Sequence, residues 1–157
     1  MKTKYYLAYG SNLNVHQMAY RCPTAEPVGT AALEGWRLEF RGSKSGAYLT
    51  IVPCAGGRVP VGVWEITEDD EKALDHYEGF PRFYHKKTLK VKMEESFTHR
   101  WRRVSALVYI MREDAAVGIP THDYVLACRV GCDHFGIGKG ALYSALDRAY
   151  KEMEDVI

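Results

Sequence analysis

Apolar and polar positions alternate over several short stretches of this chain and fall at helical spacing over others. The first apolar stretch, Tyr5-Tyr6-Leu7-Ala8, reads as a strand. It runs into Tyr9-Gly10-Ser11-Asn12-Leu13, a sharp turn, and then a short helix from about Asn14 to Arg21. Pro23 to Thr30 reads as a loop. Leu33 to Arg41 alternates as a strand, with Leu33, Trp36, Leu38 and Phe40 as its apolar positions. Gly42-Ser43-Lys44-Ser45-Gly46 is a turn-rich connection. Ala47 to Val52 is an apolar, β-branched strand expected to stop at Pro53. Gly56-Gly57 is then expected to turn the chain back into Val59 to Ile66, which alternates again.

A helix follows with start and stop signals. Thr67 is the predicted N-cap, and Asp70 stands three residues later as a capping-box partner. Glu68, Asp69, Asp70 and Glu71 crowd the first turn, where the helix dipole favours acids. Gly79 fits the left-handed position after the helix, and Pro81 prevents continuation. Tyr84 to Met93 and Arg103 to Met111 read as long strands joined by a hairpin loop over Glu94 to Arg102. Pro120 and Thr121 open a helix through about Val130. Gly136, Gly138 and Gly140 make a turn, and Ala141 to Met153 is a last amphipathic helix. No repeat or linker interrupts the 157 residues, so residues 1–157 read as a single domain of mixed α and β structure, richer in strand.

Composition narrows the classes of function. Lys and Arg total 21 against 20 Asp and Glu, a net charge of +1, which leaves no electrostatic footprint for nucleic acid. The clusters Lys86-Lys87 and Arg100-Trp101-Arg102-Arg103 are short and read as solvated strand ends. No run is long enough to span a membrane and no leader resembles a signal peptide, so a cytoplasmic protein is expected. The four cysteines form no CxxC pair, and Cys128 and Cys132 share one helix face, a poor disulfide geometry. Reduced thiols are therefore expected. The six histidines show no metal-ligand spacing, so no metal is expected, and with no Walker A loop or GxGxxG after a strand no cofactor is expected either. Oligomeric state is left open.

Two places carry chemistry. A turn such as Gly10 to Leu13, placed between a strand and a helix, presents backbone N–H groups suited to a carboxylate or a phosphate. Gly10 permits close approach, and Ser11 and Asn12 add side-chain donors. An ordinary strand–turn–helix with a capping Ser or Asn leaves the same trace. The second place is the C-terminal end of the Thr67 helix, where Asp75 and Glu78 oppose the dipole. Tyr77, Phe80, Phe83 and Tyr84 flank Glu78 with aromatic surface, which should raise its pKa toward the range of a neutral-pH acid/base. A solvent-facing Glu is the plain alternative. No G-x-S-x-G elbow, Walker A loop or GxGxxG after a strand is present, and Gly136-Ile137-Gly138-Lys139-Gly140 lacks the preceding strand a phosphate loop needs.

The order of Tyr9-Gly10-Ser11-Asn12-Leu13, then Leu74-Asp75-His76-Tyr77-Glu78-Gly79 with Tyr84 following, resembles the γ-glutamylcyclotransferase-like (AIG2-like) family. Val61-Gly62-Val63-Trp64-Glu65-Ile66-Thr67 is similar to the strand leading into that family's catalytic helix. Tyr109 and the Pro120 to Tyr124 segment match later positions. The resemblance covers nearly the whole chain. It implies an α+β fold with a small mixed or antiparallel β-barrel-like core and flanking helices. It also implies a cofactor-independent reaction in which the α-amine of a γ-glutamyl substrate attacks its own γ-carbonyl, giving 5-oxoproline and a free amine. Glu78 stands where the family's acid/base glutamate would stand. Tyr9, Gly10, Ser11, Asn12 and Leu13 stand where its glutamyl carboxylate would bind, and Tyr84, Tyr109 and Tyr124 near the same site. Tyr48 and its neighbouring glycines would form a lid or a rim. The implied partner is a small-molecule or peptide γ-glutamyl substrate, and the sequence does not specify its leaving amine. A carboxylate-binding module without turnover, and a thiol-dependent enzyme using Cys54 or Cys128, are the competing readings.

Overall fold

The computed structural model describes residues 2–155. Five strands close into a barrel: β1 (Thr3–Ala8), β2 (Glu26–Arg41), β3 (Tyr48–Thr67), β4 (Tyr84–Glu95) and β5 (Trp101–Met111). Their order around the barrel is β1-β3-β2-β4-β5, closed by the parallel pairing of β1 with β5 at Tyr5↔Ala106 and Tyr6↔Leu107; the other neighbours are antiparallel. Four helices flank it: α1 (Val15–Arg21), α2 (Glu68–Glu78), α3 (His122–Phe135) and α4 (Gly140–Asp155). No helix among the described residues is long and apolar enough to cross a membrane.

Alternation along β1 splits the core in two. Leu7 packs with Leu33, Phe40, Ile51, Val61 and Val108 in one cluster. Tyr6 and Ala8 point the other way, into a second cluster with Trp64, Ile66, Leu74 and Tyr109. Leu74 ties α2 to this second cluster, and Met18 does the same for α1. Burial on both faces of β1 holds the chain fixed on either side of the residues that follow Ala8.

Several boundaries differ from the sequence pattern. β2 starts at Glu26, so the expected loop from Pro23 to Thr30 is strand over its second half. There β2 meets β3 on one side and β4 on the other, with a register shift between Pro27 and Gly29. Pairing on both edges overrides the local turn signal. β3 does not stop at Pro53 and does not reverse at Gly56-Gly57; it is one strand of 20 residues. Beyond the Ala8↔Gly62 pair β3 has lost its β1 partner, so Pro53 and Pro60 lie on a strand paired only with β2. The two glycines stand opposite a register shift between Glu34 and Trp36, which makes them part of a bulge.

α2 follows its sequence signals closely. Thr67 and Asp70 exchange both capping-box bonds, at 3.2 and 2.9 Å, and Gly79 is left-handed (φ 65°). α3 continues past the expected end near Val130 to Phe135. Gly131 lies inside it because the helix passes against the turn after β1: a Cβ there would sit 2.6 Å from the Asn14 nitrogen and from Leu13 Cβ.

Candidate active site

After β1 the chain makes one 3-10 turn over Ser11–Leu13, and Asn14 caps α1 through bonds from the His16 and Gln17 amides. Leu13 anchors the turn. Its side chain is buried between α3 at Gly131 and β3 at Gly62, where a Cβ would meet Leu13 Cδ2 at 2.8 Å. The indole of Trp64 donates to the Asn12 carbonyl at 2.9 Å. Leu13 therefore braces the turn from behind, while Gly10, Ser11 and Asn12 line a cavity of about 240 Å³. The Leu13 and Asn14 amides are used within the turn, bonded to the carbonyls of Gly10 and Ser11 at 3.0 Å; among the described residues the Ser11 and Asn12 amides have no backbone acceptor.

Glu78, the last residue of α2, faces the turn across this cavity. Its Oε1 accepts from Asn12 Nδ2 at 3.3 Å. Burial pushes its carboxyl from 4.5 up to about 7, with the Arg21 guanidinium pulling the other way. This is the direction expected from the aromatic flank of the sequence. Asp75, one turn earlier, accepts from the Tyr109 hydroxyl at 2.6 Å and from Lys86 at 3.0 Å. Lys86 also bonds Glu71 at 2.9 Å, so it is an internal cation of the α2–β4 contact and not a solvated strand end. The two carboxylates at the end of α2 thus have opposite surroundings: Asp75 is paired, and Glu78 is left among tyrosines.

The remaining walls come from four elements. Tyr9 and Tyr109 are coupled, the Tyr9 hydroxyl donating to the Tyr109 carbonyl at 2.6 Å. Tyr84 donates to the Leu49 carbonyl at 2.8 Å, and the Leu49 amide donates to the Tyr124 hydroxyl at 3.1 Å. Tyr48 and Phe83 stand edge to face near the mouth, with ring centroids 6.4 Å apart, and Tyr48 is exposed. Burial pushes the phenols of Tyr9, Tyr84, Tyr109 and Tyr124 up, so each remains a protonated donor near neutral pH.

The expected acid/base and substrate-binding residues, Leu13 excepted, line this one cavity together with Tyr48, whereas Asp75 and Phe80 do not. Two residues that sequence reasoning did not single out also shape it, Tyr6 in its wall and Arg21 behind the wall, and Tyr77, expected only as aromatic surface beside Glu78, joins them. Tyr6 accepts from Asn12 Nδ2 at 2.9 Å. Tyr77 places its hydroxyl 3.3 Å from Ser11 Oγ. Arg21 donates to Asn12 Oδ1 at 2.6 Å and stacks on the Tyr77 ring, 3.6 Å from its centroid. Strand alternation marks Tyr6 as a core position, but nothing local in the sequence joins Arg21 to Tyr77. Cys128 is buried with its thiol pushed up to about 12, and neither it nor Cys54 lines the cavity, which removes support from a thiol mechanism. Among the described residues no three His, Cys, Asp or Glu side chains are grouped to hold a metal ion.

A closed barrel carrying a Gly-Ser-Asn turn after its first strand, opposite a partly buried helix-end glutamate, defines a fold class already known. Residues 6–126 match the family described as gamma-glutamyl cyclotransferase, AIG2-like, and the chain belongs to that family. Among solved structures it is similar to a gamma-glutamyl cyclotransferase, at 23% identity and a TM-score of 0.77 over 96% of this chain and 86% of that one. An uncharacterized protein from Homo sapiens gives 24% identity and the same TM-score over the same shares. A yeast gamma-glutamyl cyclotransferase specific to glutathione gives 12% identity and a TM-score of 0.63 over 96% and 97% of the two chains. These likenesses show the shared barrel fold. No curated protein matches the chain.

Proposed function

We propose that this protein is a γ-glutamyl cyclotransferase that needs no cofactor, converting a γ-glutamyl amine, amino acid or isopeptide into 5-oxoproline and the free amine. The observation that carries the reading is the Glu78 carboxyl, raised to about 7 and set across a small cavity from the Gly10–Asn12 turn. In this reading the turn holds the α-carboxylate of the glutamyl group through the Ser11 and Asn12 amides and the Ser11 hydroxyl. That anchor folds the glutamyl chain so that its α-amine approaches its own γ-carbonyl. Positioning of an intramolecular attack supplies much of the acceleration.

Glu78 takes a proton from the α-ammonium, which frees the nitrogen lone pair for attack on the γ-carbon. The γ-oxygen gains negative charge and needs a donor in place beforehand. The protonated phenols around the cavity, with the turn amides, are the donors this chain offers. Collapse of the tetrahedral intermediate breaks the bond to the leaving amine; protonated Glu78 gives its proton to that nitrogen, and the second proton of the attacking nitrogen passes to the freed amine, which departs as an ammonium. A carboxyl with a pKa near 7 suits both halves, because acid and base forms coexist at neutral pH.

The test is mass spectrometry of the purified protein with a panel of γ-glutamyl amino acids, γ-glutamyl amines, γ-glutamyl isopeptides and glutathione, beside Glu78→Gln. Release of 5-oxoproline by wild type and not by a folded Glu78→Gln is expected, and the productive member names the leaving amine. A panel without product, together with ligand-induced thermal stabilisation, would favour a binding module on the same fold.

A further inference from the structure

Arg21 stands at the end of α1, outside the wall of the cavity, and touches both sides of the site. Its NH1 donates to Asn12 Oδ1 at 2.6 Å, and its NH2 to Gln17 Oε1 at 2.8 Å. The same guanidinium lies over Tyr77, its carbon 3.6 Å from the ring centroid. Tyr77 immediately precedes Glu78. One planar cation thus clasps the turn after β1 to the last turn of α2, the two segments that face each other across the cavity.

The consequence for Asn12 is geometric. An amide side chain has an accepting end and a donating end, and its neighbours decide which way it points. Arg21 can only donate, so it takes the oxygen. The NH2 end is then left facing Tyr6 at 2.9 Å and Glu78 at 3.3 Å. With the amide reversed, Asn12 would offer its oxygen to a carboxylate and its N–H to a guanidinium, both unfavourable. Arg21 therefore holds the side chain of Asn12 with its donating end toward Glu78.

From this arrangement we infer that Arg21 is a positioning residue for Glu78: it fixes the Asn12 amide that hydrogen-bonds the carboxylate, and it supplies a nearby fixed positive charge. The inference deepens the cyclotransferase reading and rests on it for its catalytic consequence, but its structural half does not depend on turnover. The other titratable groups that feel the charge of Glu78 are phenols: Tyr6 within β1, Tyr9 just after it, Tyr77 on α2, Tyr84 on β4 and Tyr124 on α3. All of these are pushed up by burial and stay neutral through the range in which Glu78 titrates. His76 also reaches the cavity rim, from the exposed side of α2. Arg21 is the group found to favour the ionised carboxylate against its burial.

Two readouts separate this role from simple bracing. Carboxyl ¹³C NMR follows the titration of Glu78 directly, without substrate. In Arg21→Gln its midpoint is expected to move to higher pH than in wild type, and in Arg21→Lys, which keeps the charge, to move back. For 5-oxoproline release, Arg21→Gln is expected to lose on the order of tenfold or more in kcat with a smaller change in KM, because geometry at the base is disturbed and the carboxylate anchor is not. Arg21→Lys is expected to keep the pH profile of wild type while losing kcat, since an ammonium cannot both fork to Asn12 and Gln17 and stack on Tyr77. An unchanged Glu78 midpoint in folded Arg21→Gln would overturn the inference. If that variant does not fold, wild-type kcat in Arg21→Lys overturns it instead. Absence of any cyclotransferase activity in wild type would sink the proposed reaction while leaving the NMR titration to decide the role of Arg21.

Discussion

Glu78 costs the fold stability wherever the pH keeps it ionised, because its charge is held among aromatic rings. Its carboxyl is raised from 4.5 to about 7 in the folded protein. Between those values the folded state binds a proton the unfolded chain has released, so stability falls as pH rises through that window, and the deficit is complete above it. Glu78→Gln keeps an acceptor for Asn12 Nδ2 and removes the charge. It should be more stable than wild type by about 1–3 kcal/mol at pH 8 and no different near pH 4. Urea denaturation at the two pH values checks this, and a variant less stable than wild type at pH 8 contradicts the buried-carboxylate account. At this scale the sequence was informative in part. The aromatic flank of Glu78 and its place at a helix end gave the direction of the shift. The contrast with Asp75 was not legible, because its partners Lys86 and Tyr109 lie 11 and 34 residues away.

Elements set the site through two close contacts and one cap. Leu13 fills notches that exist only because positions 62 and 131 lack a side chain. Gly131→Ala would drive a methyl group into the backbone at Leu13 and Asn14, so α3 or the turn must move. A loss of about 1–3 kcal/mol is expected, with 5-oxoproline release falling by more than the folded fraction accounts for. Differential scanning calorimetry and the rate per folded molecule measure the two effects separately; a neutral Gly131→Ala would refute the bracing role of Leu13. Thr67→Ala is the contrasting change. It removes the cap at the far end of α2 and should cost about 0.5–2 kcal/mol while leaving the rate per folded molecule unchanged. The caps of α2 were readable because capping is local chemistry. The Gly56-Gly57 pair and Pro53 misled for a related reason: they carry turn signals, and only the register of β2 against β3 shows that they occupy a bulge and a singly paired stretch. The expected end of α3 near Val130 fell short because Gly131 lies inside the helix, where it admits Leu13 and Asn14 of the turn.

At the scale of the whole molecule, the pairing of β1 with β3, which leads into α2, sets the turn after β1 beside the end of α2, joining residues 66 apart in sequence. The ordered motifs identified both partners and the fold that joins them. Arg21 and Tyr6 were not legible in the sequence, and Tyr77 only as aromatic surface beside Glu78, since each acts through a contact that the folded chain alone makes. One pH-rate behaviour follows from Glu78 acting as the base. For the productive member of the γ-glutamyl panel, kcat/KM should climb with pH through an acid limb near 7, where Glu78 becomes available as a base, and Glu78→Gln should show no such activity. An acid limb lying near 4.5, or a Glu78→Gln enzyme that retains wild-type turnover, would contradict the assignment of Glu78 as the acid/base.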